Sequence, residues 1–392
     1  MSAVFTVFLK EVLENLRDRR VVLSAFFFGV LLAPAVFTLT TGFVSKRALR
    51  DQEQPLKLPV VGATHAPNLM RFLAEQGARI EPLTLTPDAA AEKVRAGDYE
   101  LVLIVTPQYG ERLDAGDPAP VDLVVDTSNT RAMGATERAR RLLDAHGRQI
   151  AALRLLLRGV SPAVVEPVDV RVVDVATPAG RSLVILGMMT YFCLMSMLVG
   201  GFYLAIDTTA GERERGSLEP LLALPVTRAQ LILGKILATC AFMAVSLLLT
   251  LIAFAVALAF VPLEALGMSS NFGLRVVLAL FGVMVVFVPL GAGLMTVVAS
   301  FTRTHREAQT WLSLVLMVPL APIMVAVFSG TRPSAPLMAV PSLSQHLLAT
   351  NLIRGDAIDP LHVVIATFTT LAAGALLILI AVRLYRRESI LG

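Results

Sequence analysis

Glu212, Arg213, Glu214 and Arg215 are four consecutive residues of alternating charge in a chain whose charged residues make up only 16%. Arginine presents a planar fork of donors that pairs bidentately with carboxylates, and glutamate supplies matching acceptors. Such a tetrad is suited to recognising another charged protein surface. Gly216 and Pro220 follow, with Leu218, Leu221 and Leu222 set around Glu219. The pattern predicts an amphipathic helical element over 210–224 that lies in a partner's groove; the plainer alternative is a solvated run of charge. Just upstream, Asp207, Thr208 and Thr209 set one carboxylate beside two hydroxyls, an oxygen-only group that suits a hard cation such as sodium and marks a candidate ion path. Equally, Asp207 marks the end of an apolar run and caps the helix that follows.

Other chemistry is absent. A P-loop needs Gly, four residues and then Gly-Lys-Ser/Thr. The only Gly-Lys, Gly234-Lys235, precedes Ile236, and position 229 is Ala. There is no His-Glu-x-x-His, and His65, His146, His305, His346 and His362 are scattered among different segments. Cys193 and Cys240 both fall in apolar runs and read as small core residues. No catalytic site, metal site or cofactor is encoded, so transport by this chain would draw its energy from a partner or an ion gradient. Chains of intramembrane acids, the mark of a gradient-driven carrier, are missing. The net charge of +4 calls for no nucleic acid.

The elements that must position the tetrad are apolar. Hydrophobic residues make up 55% of the 392, and mean hydropathy is +0.71. Six charge-free runs, 21–45, 182–206, 236–263, 276–302, 308–331 and 363–382, each reach the length that crosses a bilayer. Only closed helices satisfy their own backbone in lipid, so the fold class is an α-helical integral membrane protein with six transmembrane helices. With six spans, thirteen Lys and Arg of the short segments fall on one side, among them Lys10, Arg213, Arg303 and Arg386, against Arg275, Arg332 and Arg354 on the other. The positive-inside rule then puts both termini and the 207–235 connector in the cytoplasm, in a multi-pass protein of the inner membrane. The first apolar run is too long for a cleaved signal peptide.

Residues 1–20 place Val4, Val7, Phe8, Val12 and Leu16 on one helical face, which predicts a helix lying along the cytoplasmic interface. Residues 46–178 alternate β-rich runs (59–62, 80–85, 101–106, 121–126, 168–175) with helical ones (67–76, 88–96, a short one after 107, and 131–157). They predict an extracytoplasmic α/β domain between the first two spans. Five further spans fill 179–392. The loop 330–360 is rich in Pro, Ser and Gly and reads as short turns folded back on the membrane. Pro34, Pro289, Pro319 and Pro322 predict kinks.

The run GERERGSLEPLLALPVTRAQLILGKILA resembles the signature of ABC type-2 permease subunits, and more narrowly of the NatB-like sodium-efflux permeases. KEVLENLRDRR, VVGATHAPNLMRFLAEQGARIEP and FTRTHREAQTWLSL extend the resemblance over nearly the whole chain. It implies the ABC type-2 exporter fold, with the connector holding a coupling helix that inserts into a separate cytoplasmic ATPase subunit. It further implies that this partner binds the ATP and Mg, and that two permease chains, as a homodimer, join two ATPase chains amid membrane lipid. Sodium is the substrate that the resemblance implies. A lipid, peptide or hydrophobic drug suits the Met- and Phe-bearing second span as well. A rival reading is a non-transporting sensor or scaffold, but a sensor needs two spans and a soluble output domain, and this chain has four more spans and no such domain.

Overall fold

A computed structural model describes residues 3–53, 55–127, 129, 132–164, 178–217, 220, 225–261, 272–329, 331 and 333–386. The chain divides into two compact units, Met1–Arg47 with Val175–Gly392, and Ala48–Asp174.

The first unit is helical. Six of its helical segments are long and apolar enough to cross a membrane: spans 1 to 6 are Leu23–Phe43, Leu186–Glu214, Arg228–Leu258, Leu274–Phe301, His305–Val327 and Pro360–Tyr385. Span 2 is central, with 72% of its apolar stretch buried against 17% for span 6. It packs closely on span 3, where a Cβ on Gly200 would stand 2.4 Å from Ser246 Cβ and one on Gly201 2.6 Å from Met243 Cγ. Glycine lets these two backbones approach, as expected where lipid offers no hydrophobic drive between helices. Pro34 lies inside the continuous helix Gly29–Glu53. Span 4 divides into Leu274–Val285 and Val288–Phe301, with Pro289 in the first turn of the second piece. Span 5 divides into His305–Val315 and Met317–Ser329.

Two expectations need correction here. The loop 330–360 is more than turns: it holds the helices Ala335–Met338 and Leu343–Arg354. The second of these buries Leu343, Gln345, His346 and Leu347 and packs on spans 2 and 4. Gln345 Oε1 accepts from the Ser342 N–H at 2.7 Å, and Gly355 in the left-handed region (φ 73°) closes the far end. These capping signals outweigh the loop-like composition. The N-terminal helix Ala3–Arg17 is the other case. Phe8 and Val12, expected on one interfacial face, pack instead toward spans 2 and 3, while Leu16 is 49% exposed, together with Phe5, Leu9 and Leu13. Glu11 and Asn15 are buried in its place. The helix therefore has two apolar faces, one against protein and one left open.

The second unit is a four-stranded sheet of order β2-β1-β3-β4, with β1 Leu56–Val61, β2 Ala78–Leu83, β3 Leu101–Val105 and β4 Val121–Val125. β1 runs parallel to β2 and β3, and β4 is antiparallel to β3. Pro87–Ala96 covers one face through Ala90 and Val94. Pro67–Glu75 and Ala132–Leu157 cover the other around Leu69, Leu73 and Ala139. β3 is buried along its whole length, as a central strand covered on both faces should be. The expected strand at 168–175 lies outside the described residues.

Candidate functional site

The connector is shorter than its charge suggests. The span 2 helix runs past the charge boundary through a wide turn, Asp207–Gly211, to Glu214. Span 3 begins already at Arg228, where Thr227 Oγ1 accepts from the Gln230 N–H and Gln230 Oε1 accepts from the Thr227 N–H at 3.1 Å. The helical element expected over 210–224 is thus interrupted. Gly216 takes φ 66°, its N–H bonds the Arg213 carbonyl, and the Ser217 N–H bonds the Glu212 carbonyl. That pairing is the Schellman stop, which needs a residue able to enter the left-handed region. Leu218, Glu219, Leu221 and Leu222 lie outside the described residues, and Pro220 is exposed.

The structure turns Glu212 and Arg213 inward and leaves Glu214 and Arg215 at the surface. Glu212 is buried and forms an ion pair with Lys235 of span 3, their side chains 7% and 3% exposed. Lys235 Nζ also donates to the Thr208 carbonyl at 2.8 Å. The Arg213 guanidinium donates to the carbonyls of Thr302 (2.6 Å) and Ser300 (3.1 Å). Glu214 Oε2 accepts from the His305 N–H at 2.6 Å. Arg213 therefore meets the carbonyl end of Val288–Phe301 and Glu214 the amide end of His305–Val315, each matching the sign of that helix end. Arg215 bonds back to Asp207 Oδ1 at 2.7 Å; that hydrogen bond holds the guanidinium above its ordinary value despite partial burial. Four neighbouring charges thus tie the end of span 2 to span 3, span 4, span 5 and back onto itself. Of the tetrad, only Glu214 and Arg215 are exposed, and Gly216 follows them at the surface.

Asp207, Thr208 and Thr209 each have partners within the protein. Thr208 and Thr209 are buried and their hydroxyls donate to the Leu204 and Ala205 carbonyls of their own helix. The Asp207 carboxylate is taken by Arg215, and it caps no helix. Among the described residues no group of three or more His, Cys, Asp or Glu is arranged to hold a metal.

Two groups that sequence reasoning passed over complete the site. In the sequence Lys235 stands out only as the lysine of a failed P-loop match and as one of the orientation charges, although it is the buried counter-ion of Glu212. Glu11, on the N-terminal helix, lines with Glu14, Asp207, Glu212 and Arg215 a polar cavity of about 400 Å³. Its carboxylate is held by Lys10 at 3.1 Å. No spacing in the sequence signals either one; the structure shows the N-terminal helix resting on Gly234, where a Cβ would sit 2.7 Å from Val7 Cβ.

A bundle of apolar helices whose loop charges are pulled inward matches a family model, ABC-2 family transporter protein, over residues 24–382. The chain belongs to the ABC-2 transporter family. It is also 25% identical over 387 residues to the ABC transporter permease protein NatB of Bacillus subtilis (strain 168), covering 96% of each chain. As an ABC-2 family member it is a multi-pass transmembrane subunit of an ABC transporter, a transporter component and not a catalytic enzyme. Membership in this permease family also implies an ATP-binding partner subunit.

Proposed function

We propose that this chain is the permease half of an ATP-driven exporter, and that the link from Arg215 to Thr227 is where the cytoplasmic ATPase subunit seats. One observation carries the reading: the link is exposed at Arg215, Gly216, Pro220 and Pro225, while the helices at both its ends are anchored, one by the tetrad and one by Lys235, which holds Glu212 and the Thr208 carbonyl. A surface element with both ends fixed to the bundle passes a push from a partner into several spans at once. Closure of an ATPase dimer would then shift the balance between two arrangements of the spans, by as much as it binds one of them better. In this reading both termini are cytoplasmic, the Ala48–Asp174 unit is extracytoplasmic, two permease chains pair with two ATPase chains, and the cargo is sodium. The sodium assignment rests on the sequence resemblance to NatB-like efflux permeases.

The test is co-purification of the chain with an ATPase subunit co-expressed from the same genome, followed by ATP hydrolysis in liposomes with and without internal sodium. A complex whose hydrolysis rises with sodium supports the whole reading. A complex indifferent to sodium leaves the exporter and replaces its cargo with a lipid, peptide or hydrophobic drug. Failure to form any complex removes the coupling role.

A further inference from the structure

We propose that Lys235 is the positioning residue through which motion of the 215–227 link reaches span 3 and the N-terminal helix. The inference rests on the reading of that link as the ATPase contact.

The four anchors of the tetrad are not equivalent. Arg215 and Asp207 keep 56% and 32% of their side-chain surface in solvent, where an ion pair is screened and yields easily. Lys235 and Glu212 keep only 3% and 7%. A pair closed off in this way resists separation, because parting leaves two charges stranded in a medium of low polarity. Lys235 also donates to the Thr208 carbonyl inside the wide turn, so it grips span 2 at two points, one backbone and one side chain.

The neighbouring residue faces the other way. A Cβ on Gly234 would come within 2.9 Å of the Val4 carbonyl and 2.7 Å of Val7, so the N-terminal helix rests directly on this turn of span 3. Adjacent positions 234 and 235 therefore hold the N-terminal helix and the end of span 2. Glu11, buried on that helix, lines the same cavity as Glu212. A displacement of the link moves Glu212, Glu212 carries Lys235, and the turn bearing Lys235 carries the N-terminal helix.

The experiment uses the complex of this chain with its ATPase subunit in liposomes. Val340, 37% exposed in the 330–360 loop, is replaced by Cys in a background with Cys193 and Cys240 changed to Ala. Maleimide labelling at position 340 is timed with and without trapped ATP. The unaltered tetrad should show a nucleotide-dependent labelling rate; Lys235→Met should reduce that dependence about tenfold, within the usual range of coupling between sites, while the complex still forms and hydrolyses ATP. Lys235→Arg, which keeps the charge and can still donate to both Glu212 and the Thr208 carbonyl, should retain it. A Lys235→Met complex that responds to ATP as before overturns the inference, and so does a Lys235→Arg complex that assembles yet stays uncoupled. Should Lys235→Met fail to assemble, Lys235→Gln, which keeps a donor but not the charge, takes its place. Absence of any nucleotide response in the unaltered complex would instead strike at the ATPase-coupled reading itself.

Discussion

At one end of the bundle Glu212, Arg213 and Glu214 reach three other spans through charged groups. At the Leu343–Arg354 helix the same task falls to neutral ones: Thr190 Oγ1 meets His346 Nδ1 at 2.5 Å, and Gln345 Nε2 donates to Thr370 Oγ1 at 3.0 Å. Both sets are largely buried, and both join segments distant in sequence. They differ in what breaking them costs. A buried charge that loses its partner is left with a large desolvation cost, whereas a neutral group loses one hydrogen bond. The charged end is thus the more strongly interlocked, and the neutral end the more readily opened.

The largest expected effect tests that contrast directly. Glu212→Gln leaves Lys235 buried without its counter-ion and should cost about 3–5 kcal/mol of stability in detergent. The double change Glu212→Leu with Lys235→Met should recover most of it, because two apolar groups of similar volume need no partner. Thermal unfolding of the purified chain measures both. A loss under about 1 kcal/mol for the single change would place the pair among ordinary surface contacts.

A middle-sized effect should appear at the neutral end and only in acid. Burial pushes His346 down from its ordinary 6.5 to about 4. The packed helix therefore refuses a proton that an opened one accepts. Its stability is complete above about pH 6.5, and as pH falls from there toward 4 it should decline by about 1.4 kcal/mol for each unit crossed. Hydrogen exchange of Leu343–Arg354 at pH 7 and pH 5, each taken relative to the intrinsic amide rate at that pH, checks this, with weaker protection expected at pH 5. Equal protection would show that opening of the helix does not free His346.

The smallest effect is Arg215→Ala. Its pairing with Asp207 is half in solvent, so removal should change stability by only about 0.2–1 kcal/mol. Its consequence should be seen in association with the ATPase subunit, whose co-purification should weaken and become less sensitive to salt. Unaltered salt sensitivity would mean that the partner does not touch this side chain.

Much of this architecture could be read from the sequence, for physical reasons. Spans 1 to 6 are legible because lipid tolerates no unpaired backbone and few charges, which leaves long runs with sharp edges. The elements of the second unit are legible because β3, LVLIV, is apolar throughout while the helices around it carry a polar face. The tetrad drew notice through composition, but its direction could not be read. Glu214 meets His305 across 91 residues, and Arg213 meets Ser300 across 87. No local pattern encodes such partners. Leu16 groups with Val12 and Phe8 on one interfacial face by helical spacing; in the structure it is exposed and Glu11 is buried instead, beside Glu212 in a cavity that spacing along one helix cannot reveal. The Leu343–Arg354 helix was hidden by the prolines before it, although Ser342 with Gln345 and the closing Gly355 were available as signals.

The wide turn at Asp207–Gly211 has a counterpart in span 1, Leu23–Phe28, where the Gly29 N–H reaches back five residues to the Ser24 carbonyl. Each places one residue more in its turn than an α-helix needs. In mechanical terms each is a length of slack let into an otherwise taut rod. A tug on the rod can be met by tightening that turn, which shifts everything beyond it by about one residue's rise, 1.5 Å, with the hydrogen bonds re-paired instead of lost. Rods so fitted take up a stroke at the edge of the bilayer while their central sections keep their place.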